Sequence, residues 1–228
     1  MAEPADQAPG FRYERKFVSF QLGARELGVL IRLHPALFRE VHHERHVNNI
    51  YFDTPLLENY HANVMGVADR LKCRIRWYGK LFGPVERPVL ELKRKKGLVG
   101  QKFAFPLPPF TLDGLFESDA VFAQADLSER IELYVSTLQP KLLNRYRRRY
   151  YLSAAGDFRL TLDAGLEFHR IDGRSNRFSE CVRCDDRIIL ELKYESGQKR
   201  AAAIACEFPF RLSKSSKYVT GIDALYRW

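Results

Sequence analysis

Between Arg70 and Tyr78 the chain places Arg70, Lys72, Arg74 and Arg76 at every second position, with Leu71, Cys73, Ile75 and Trp77 between them. Side chains two apart on a β-strand share a face, so this segment reads as a strand with one wholly cationic row and one apolar row. The pattern returns in Val89-Leu90-Glu91-Leu92-Lys93, in Arg159-Leu160-Thr161-Leu162-Asp163 and in Ile189-Leu190-Glu191-Leu192-Lys193. Tyr13-Glu14-Arg15-Lys16-Phe17 is a blurred copy, because Arg15 falls on the apolar side. Two cations at i and i+2 stand ~7 Å apart, repelling by ~0.6 kcal/mol in water but ~2.4 kcal/mol at an effective dielectric of ~20. An open, wet sheet face tolerates that repulsion. An enclosed channel lined by several such rows needs a polyanion to fill it. The pattern alone leaves both readings open.

Eight segments read as strands from their β-branched, aromatic and leucine content: Arg12–Phe20, Val47–Phe52, Arg70–Tyr78, Glu86–Arg94, Gln101–Leu107, Arg145–Leu152, Phe158–Ala164 and Arg187–Glu195. Gly79 with Gly83-Pro84, Lys96-Gly97 with Gly100, and Gly156-Asp157 mark three hairpin turns. Helical spacing predicts two short helices in Leu22–His42, broken at Pro35, and a further helix in Leu127–Leu138 with a capping box from Asp126 to Glu129. Lys199–Cys206 is another candidate, stopped by Pro209. Many short strands with tight turns and few helices predict an α+β, mainly β class: an eight-stranded antiparallel barrel with flanking helices. Residues 11–228 are expected to form a single domain behind a disordered tail at 1–10.

The 228 residues carry 37 Lys+Arg against 28 Asp+Glu, a net charge of +9, and 46% are hydrophobic. That composition excludes wholesale disorder and points to an anionic partner. No apolar run reaches the ~18 residues of a membrane span, and Met1–Gly10 is too polar for a signal peptide, so a cytoplasmic location is expected. Four cysteines are too few for a disulfide scaffold. Cys181-x-x-Cys184 could be half of a zinc site, but no second Cys or His pair stands at partner spacing, and His42, His43 and His46 lie far away. The pair reads as two reduced thiols. Arg145-Tyr146-Arg147-Arg148-Arg149 could be taken for a nucleic-acid patch, yet a strand splits it, with Tyr146 and Arg148 on one row and three arginines on the other. No Gly-x-x-x-x-Gly-Lys loop, kinase signature or nucleophile-elbow serine is present.

Glu14, Glu91 and Glu191 each stand two residues before a lysine. A phosphate site built from cations alone needs no acids, whereas one that also holds a divalent metal does. Internal Glu–Lys pairing is the competing reading, strongest for Glu91.

At these residues the sequence resembles the triphosphate tunnel metalloenzymes, and within them the catalytic domain of the vacuolar transporter chaperone (VTC) polyphosphate polymerases. The resemblance rests on Glu14-x-Lys16, Tyr51-Phe52-Asp53-Thr54-Pro55, Arg74-x-Arg76, Glu91-x-Lys93 and Glu191-x-Lys193. Branch-specific signals are Tyr146-x-Arg148, Arg159-x-Thr161-x-Asp163 and Lys214-Ser215-Ser216-Lys217-Tyr218. It implies a basic tunnel that binds ATP and inorganic polyphosphate with Mn²⁺ or Mg²⁺ and moves the γ-phosphate onto a growing chain. Lys16, Arg74, Arg76, Lys93, Arg148, Arg159 and Lys217 are then the residues expected at the transferred phosphate. Arg70, Lys102, Tyr146, Lys193, Lys214 and Ser216 would bind substrate, and Glu191 with Glu14 would hold the metal. The alternatives are a tripolyphosphatase or nucleoside triphosphatase of the same fold and a non-catalytic polyphosphate-binding module; sequence-specific nucleic-acid binding is not expected. The sensing domain and membrane segment that accompany the eukaryotic polymerases are not seen in these residues, so a separate membrane partner, with the chain at the inner face of that membrane, is a further expectation.

Overall fold

Wherever charged and apolar residues alternate, the computed structural model, which describes residues 12–96 and 99–226, has a strand. In chain order they begin with β1 (Arg12–Ser19), helix α1 (Ala24–Leu33), β2 (Arg39–Asp53), α2 (Glu58–Met65), β3 (Asp69–Tyr78) and β4 (Gly83–Val85). Next come β5 (Val89–Lys96), β6 (Val99–Pro106), β7 (Phe110–Leu112), α3 (Ser118–Phe122) and α4 (Glu129–Ser136). The chain then continues through β8 (Gln139–Leu152), β9 (Phe158–Ile171), β10 (Phe178–Cys184), β11 (Ile188–Glu195), α5 (Ala201–Cys206) and α6 (Lys217–Leu225).

The eight segments read as strands from sequence form one antiparallel path, β1-β11-β9-β8-β2-β3-β5-β6, to which β10 is added beside β9. The sheet curls but does not close: among the described residues no backbone ladder joins β1 to β6, which corrects the expected barrel. The segment leading into α6 lies along the free edge of β1 instead. Leu212 forms an isolated bridge to Phe17, and the Ser213 amide donates to the Lys16 carbonyl at 2.8 Å. β4 and β7 make a separate two-stranded ribbon.

Burial reverses the familiar plan of a small barrel, with the apolar rows packed outside. On one flank Ile50, Cys73, Ile75, Trp77, Leu90, Leu92 and Leu143 pack against Val121, Phe122 and Val135 of α3 and α4. On the other, Phe17, Leu160, Leu162, Leu190 and Leu192 meet Leu27 and Ile31 of α1 and Ile204 of α5. Among the described residues the concave face is apolar where α6 enters it, Tyr218, Ile222 and Leu225 packing on Tyr51, Leu142, Tyr146 and Ile189. Gly221 makes that approach possible: a Cβ there would lie 2.5 Å from Leu142 Cδ2 and 2.6 Å from Phe168 Cδ1.

Two local expectations fail. The second helix after Pro35 is absent, because Leu37 (65% exposed) and Val41 (40%) form no buried face and the chain enters β2 at Arg39. Helix α4 starts at Glu129 with Ser128 as its N-cap, which makes no side-chain cap bond, so the Asp126–Glu129 capping box is not made. Gly79 and Gly156 adopt left-handed φ at their hairpins as expected. Gly97, at the expected Lys96-Gly97 turn, and the tail at 1–10 lie outside the described residues. No described helix is long and apolar enough to cross a membrane.

Candidate active site in the concave face

Register sets the polar rows beside one another. Glu14 lies opposite Lys193 and Lys16 opposite Glu191 between β1 and β11; Glu191 then meets Thr161, and Lys193 meets Arg159, on β9. Across the curl Arg74 is opposite Tyr51 on one side and Glu91 on the other, and Lys93 sits between Lys72 and Lys102.

Among the described residues, eight cations of this lining pair with four carboxylates in three groups. Lys16 Nζ stands 2.8 Å from Glu14 and 3.6 Å from Glu191, Lys193 is 2.7 Å from Glu191, and Lys93 reaches Glu14 at 3.1 Å from across the open seam. Glu91 receives Arg74, through both Nε and Nη2, together with Arg76 at 3.7 Å and Lys102 at 3.5 Å. Asp163, wholly buried, is clasped by Arg148 at 2.6 and 2.7 Å and by Lys217. Tyr146 joins the last two groups: its hydroxyl accepts from Arg76 at 3.3 Å, and Lys217 Nζ lies 4.5 Å from its ring centre. Lys72 has no carboxylate among the described residues and donates to Ser216 Oγ at 2.8 Å.

These contacts explain the titration of the lining. Burial alone would raise Glu191, but Lys193, Lys16, Arg148 and Lys93 outweigh it and hold the carboxyl well below its ordinary range. Glu14 is lowered too, Lys16, Lys93 and Lys193 overcoming burial and the neighbouring Glu191. Burial works against the Lys16 ammonium, yet Glu191 and Glu14 raise it above its ordinary value. Burial works against the Tyr146 phenolate, yet Arg148, Arg76 and Lys217 bring the hydroxyl below its ordinary value. Two lysines go the other way: burial lowers Lys93 in spite of Glu14 and Glu191, and burial, then Lys16, Lys93, Arg70 and Arg74, push Lys72 down to about 7. The lining carries more positive charge than its acids can balance.

Ser216 caps α6, its hydroxyl accepting from the Val219 amide at 3.4 Å, so the helix N-terminus adjoins Lys72 and Asp163. Lys16, Lys93, Lys193, Glu14 and Glu191 thus meet in one group, Arg74, Arg76, Lys102, Arg148 and Lys217 in the two that Tyr146 joins, and Ser216 stands against Lys72. The other three stand apart. Arg70 donates to the Val67 carbonyl at 2.7 Å, Lys214 is exposed, and Arg159 is exposed at the start of β9, outside the ion pairs found among the described residues.

Sequence reasoning named Asp163 and Lys72 within their rows but gave neither a role in the site, and it passed over Asn49. Asp163 shares the row of Thr161, and Lys72 the row of Arg74, so alternation was the signal for both. Asn49, which accepts from Arg76 Nε at 2.9 Å and donates to Asn144 at 2.9 Å, offered none. Asp53 proves structural: it accepts from the Thr54, Asn59 and Tyr60 amides and from the Tyr218 hydroxyl, tying α2 to α6.

The donor set suits a hard divalent ion. Glu14 and Glu191 converge on one ammonium, and Mg²⁺ or Mn²⁺ accepts one or two carboxylates when phosphate oxygens and water complete its shell.

Comparison with known proteins gives a family and a fold. The model of the VTC domain family matches residues 11–226. A Vibrio parahaemolyticus protein provisionally assigned as an adenylate cyclase is similar in structure, with a TM-score of 0.52 at 12% identity over 93% of this chain and 99% of its own. The PH1819 protein of Pyrococcus horikoshii is similar at TM-score 0.50 and 13% identity, with the same coverage. No curated protein matches the sequence.

Proposed function

Since the chain belongs to the VTC domain family, we propose that it is a metal-dependent polyphosphate polymerase that moves the γ-phosphate of ATP onto inorganic polyphosphate. The observation that carries the reading is the excess of cations over carboxylates inside a concave face, which condensed phosphate would neutralise. Arg74, Arg76 and Arg148 are held in orientation by Glu91 and Asp163, and the guanidinium N–H groups not engaged by those carboxylates suit non-bridging oxygens. Lys16, Lys93, Lys193 and Lys217 supply point charges along the chain, with Lys102, Tyr146 and Ser216 beside them. Arg70, Arg159 and Lys214 serve longer substrates at the margins. Glu14 and Glu191 would hold the divalent ion, which when bound adds charge neutralisation across adjacent phosphates.

Transfer needs alignment and charge stabilisation more than a covalent nucleophile. A terminal oxygen of the acceptor polyphosphate attacks the γ-phosphorus as its bond to the β,γ-bridging oxygen breaks, and ADP leaves. The acceptor is already anionic, so no base is required. Hydrolysis would need one, and the four lining carboxylates are ion-paired, with Glu14, Glu91, Asp163 and Glu191 all held below their ordinary range. That favours the polymerase over the tripolyphosphatase.

The test is incubation of the purified chain with ATP and Mn²⁺, resolving long-chain polyphosphate from orthophosphate. Polyphosphate formation that falls at least ~100-fold in Arg74→Ala, with an unchanged circular dichroism spectrum, is the expected result. Orthophosphate as sole product moves the protein to the hydrolases; tight, salt-sensitive polyphosphate binding without turnover makes it a binding module.

A further inference from the structure

On the convex side of the sheet, away from the cationic lining, Glu167 and His169 project from the same row of β9, and Cys181 of β10 lies directly opposite His169. The His169 Nε2 atom is 2.7 Å from Glu167 Oε1 and 3.9 Å from Cys181 Sγ, and the three donor atoms all lie within 4.8 Å of one another. Arg183 Nε holds the other Glu167 oxygen at 3.3 Å, leaving Oε1 turned toward the histidine. A register shift between Phe178 and Cys181 brings the thiol onto the histidine. We propose that Glu167, His169 and Cys181 form a binding site for a thiophilic divalent cation of the zinc class, separate from the tunnel.

The chemistry is selective. Carboxylate, imidazole and thiolate together suit zinc-class ions, whereas Mg²⁺ and Mn²⁺ prefer oxygen alone. With ordinary Zn–S, Zn–N and Zn–O bond lengths, tetrahedral ligation sets the donor atoms about 3.4–3.6 Å apart. The Sγ–Nε2 separation already comes within a few tenths of an ångström of that value, and the Glu167–His169 pair has only to open by under an ångström. Arg183 then plays the part of an outer group that orients a ligating carboxylate. As sulfur binds the ion, the thiol proton passes to buffer, and two anionic ligands balance the metal charge. Three protein ligands leave one position for water, which makes the site exchangeable. Cys181-x-x-Cys184 is therefore not half of a four-cysteine site: Cys184 lies opposite Leu166, among the apolar residues beside α6.

The experiment is titration of the reduced 228-residue chain with Co²⁺ in phosphate-free buffer, read as the ultraviolet sulfur-to-cobalt charge-transfer band. One equivalent should generate the band and Zn²⁺ should abolish it. The band should vanish in Cys181→Ser, an exposed position, and survive in Cys206→Ser and Glu191→Gln. His169→Ala should weaken Co²⁺ by more than about tenfold. Absence of the band in wild type, its persistence in Cys181→Ser, or unchanged affinity in His169→Ala overturns the site. Oxygen-only Co²⁺ binding in the tunnel gives no such band, so the two sites are distinguished.

Discussion

Replacing Lys72 by methionine tests the electrostatics of the concave lining directly. With its pKa pushed down to about 7, the amine is about nine-tenths neutral at pH 8 and about nine-tenths charged at pH 6. A triphosphate bound beside it supplies the missing counter-charge and restores the ammonium. Wild type should therefore take up about 0.9 more protons than Lys72→Met on binding tripolyphosphate at pH 8, and about 0.1 more at pH 6. The subtraction removes protons exchanged by the ligand, which both proteins handle alike. Metal-free calorimetry in two buffers of different ionisation enthalpy measures the quantity at each pH. Stability moves with it: between pH 7 and 10.5 the unfolded chain holds the Lys72 proton that the fold sheds, so wild type gains stability as pH rises. Lys72→Met should consequently melt higher than wild type at pH 6, with a gap that narrows by pH 9. Equal proton uptake at pH 8 in the two proteins would refute the reasoning, because Lys72 would then be charged before any anion arrives.

Glu191→Gln should abolish Mn²⁺-dependent turnover while leaving tripolyphosphate affinity unchanged or tighter, since it removes a negative charge from the lining; calorimetry and the ATP assay separate the two effects. Asp163→Asn leaves Arg148 and Lys217 without their buried counter-charge and should cost about 3–5 kcal/mol in urea unfolding. Added tripolyphosphate should then raise its midpoint more than it raises that of wild type. Gly221→Ala forces a methyl group onto Leu142 and Phe168; a loss of about 1–3 kcal/mol and weaker tripolyphosphate binding are expected, because Ser216 and Lys217 move with α6.

How much of this was legible depended on which force made each element. The eight strands of the main path advertise themselves by alternation, since each separates an apolar outer row from a charged inner one. β10 does not: Phe178–Cys184 is mostly exposed and kinked by its register shift, so no face is marked. Helix α6 is hidden for another reason. Lys-Tyr-Val-Thr-Gly-Ile-Asp-Ala-Leu is rich in weak helix formers, and tertiary packing on Leu142, Tyr146 and Ile189 holds it in place. Within the site, motifs located the pairs two apart on one strand. Partnerships across strands, such as Asp163 with Lys217 or Lys93 with Glu14, depend on register and curl. The meeting of His169 with Cys181 is of the same kind.

The gap between β1 and β6 is the slot through which the chain's last segment re-enters its own interior. Leu212 and Ser213 dock on the first strand, the Ser215 carbonyl takes the Lys16 ammonium at 3.2 Å, and Ser216 arrives at Lys72. A sheet zipped shut by a full complement of main-chain bonds would evict that segment and forfeit the helix terminus it delivers. The missing rungs are what let residues two hundred positions apart furnish one chamber.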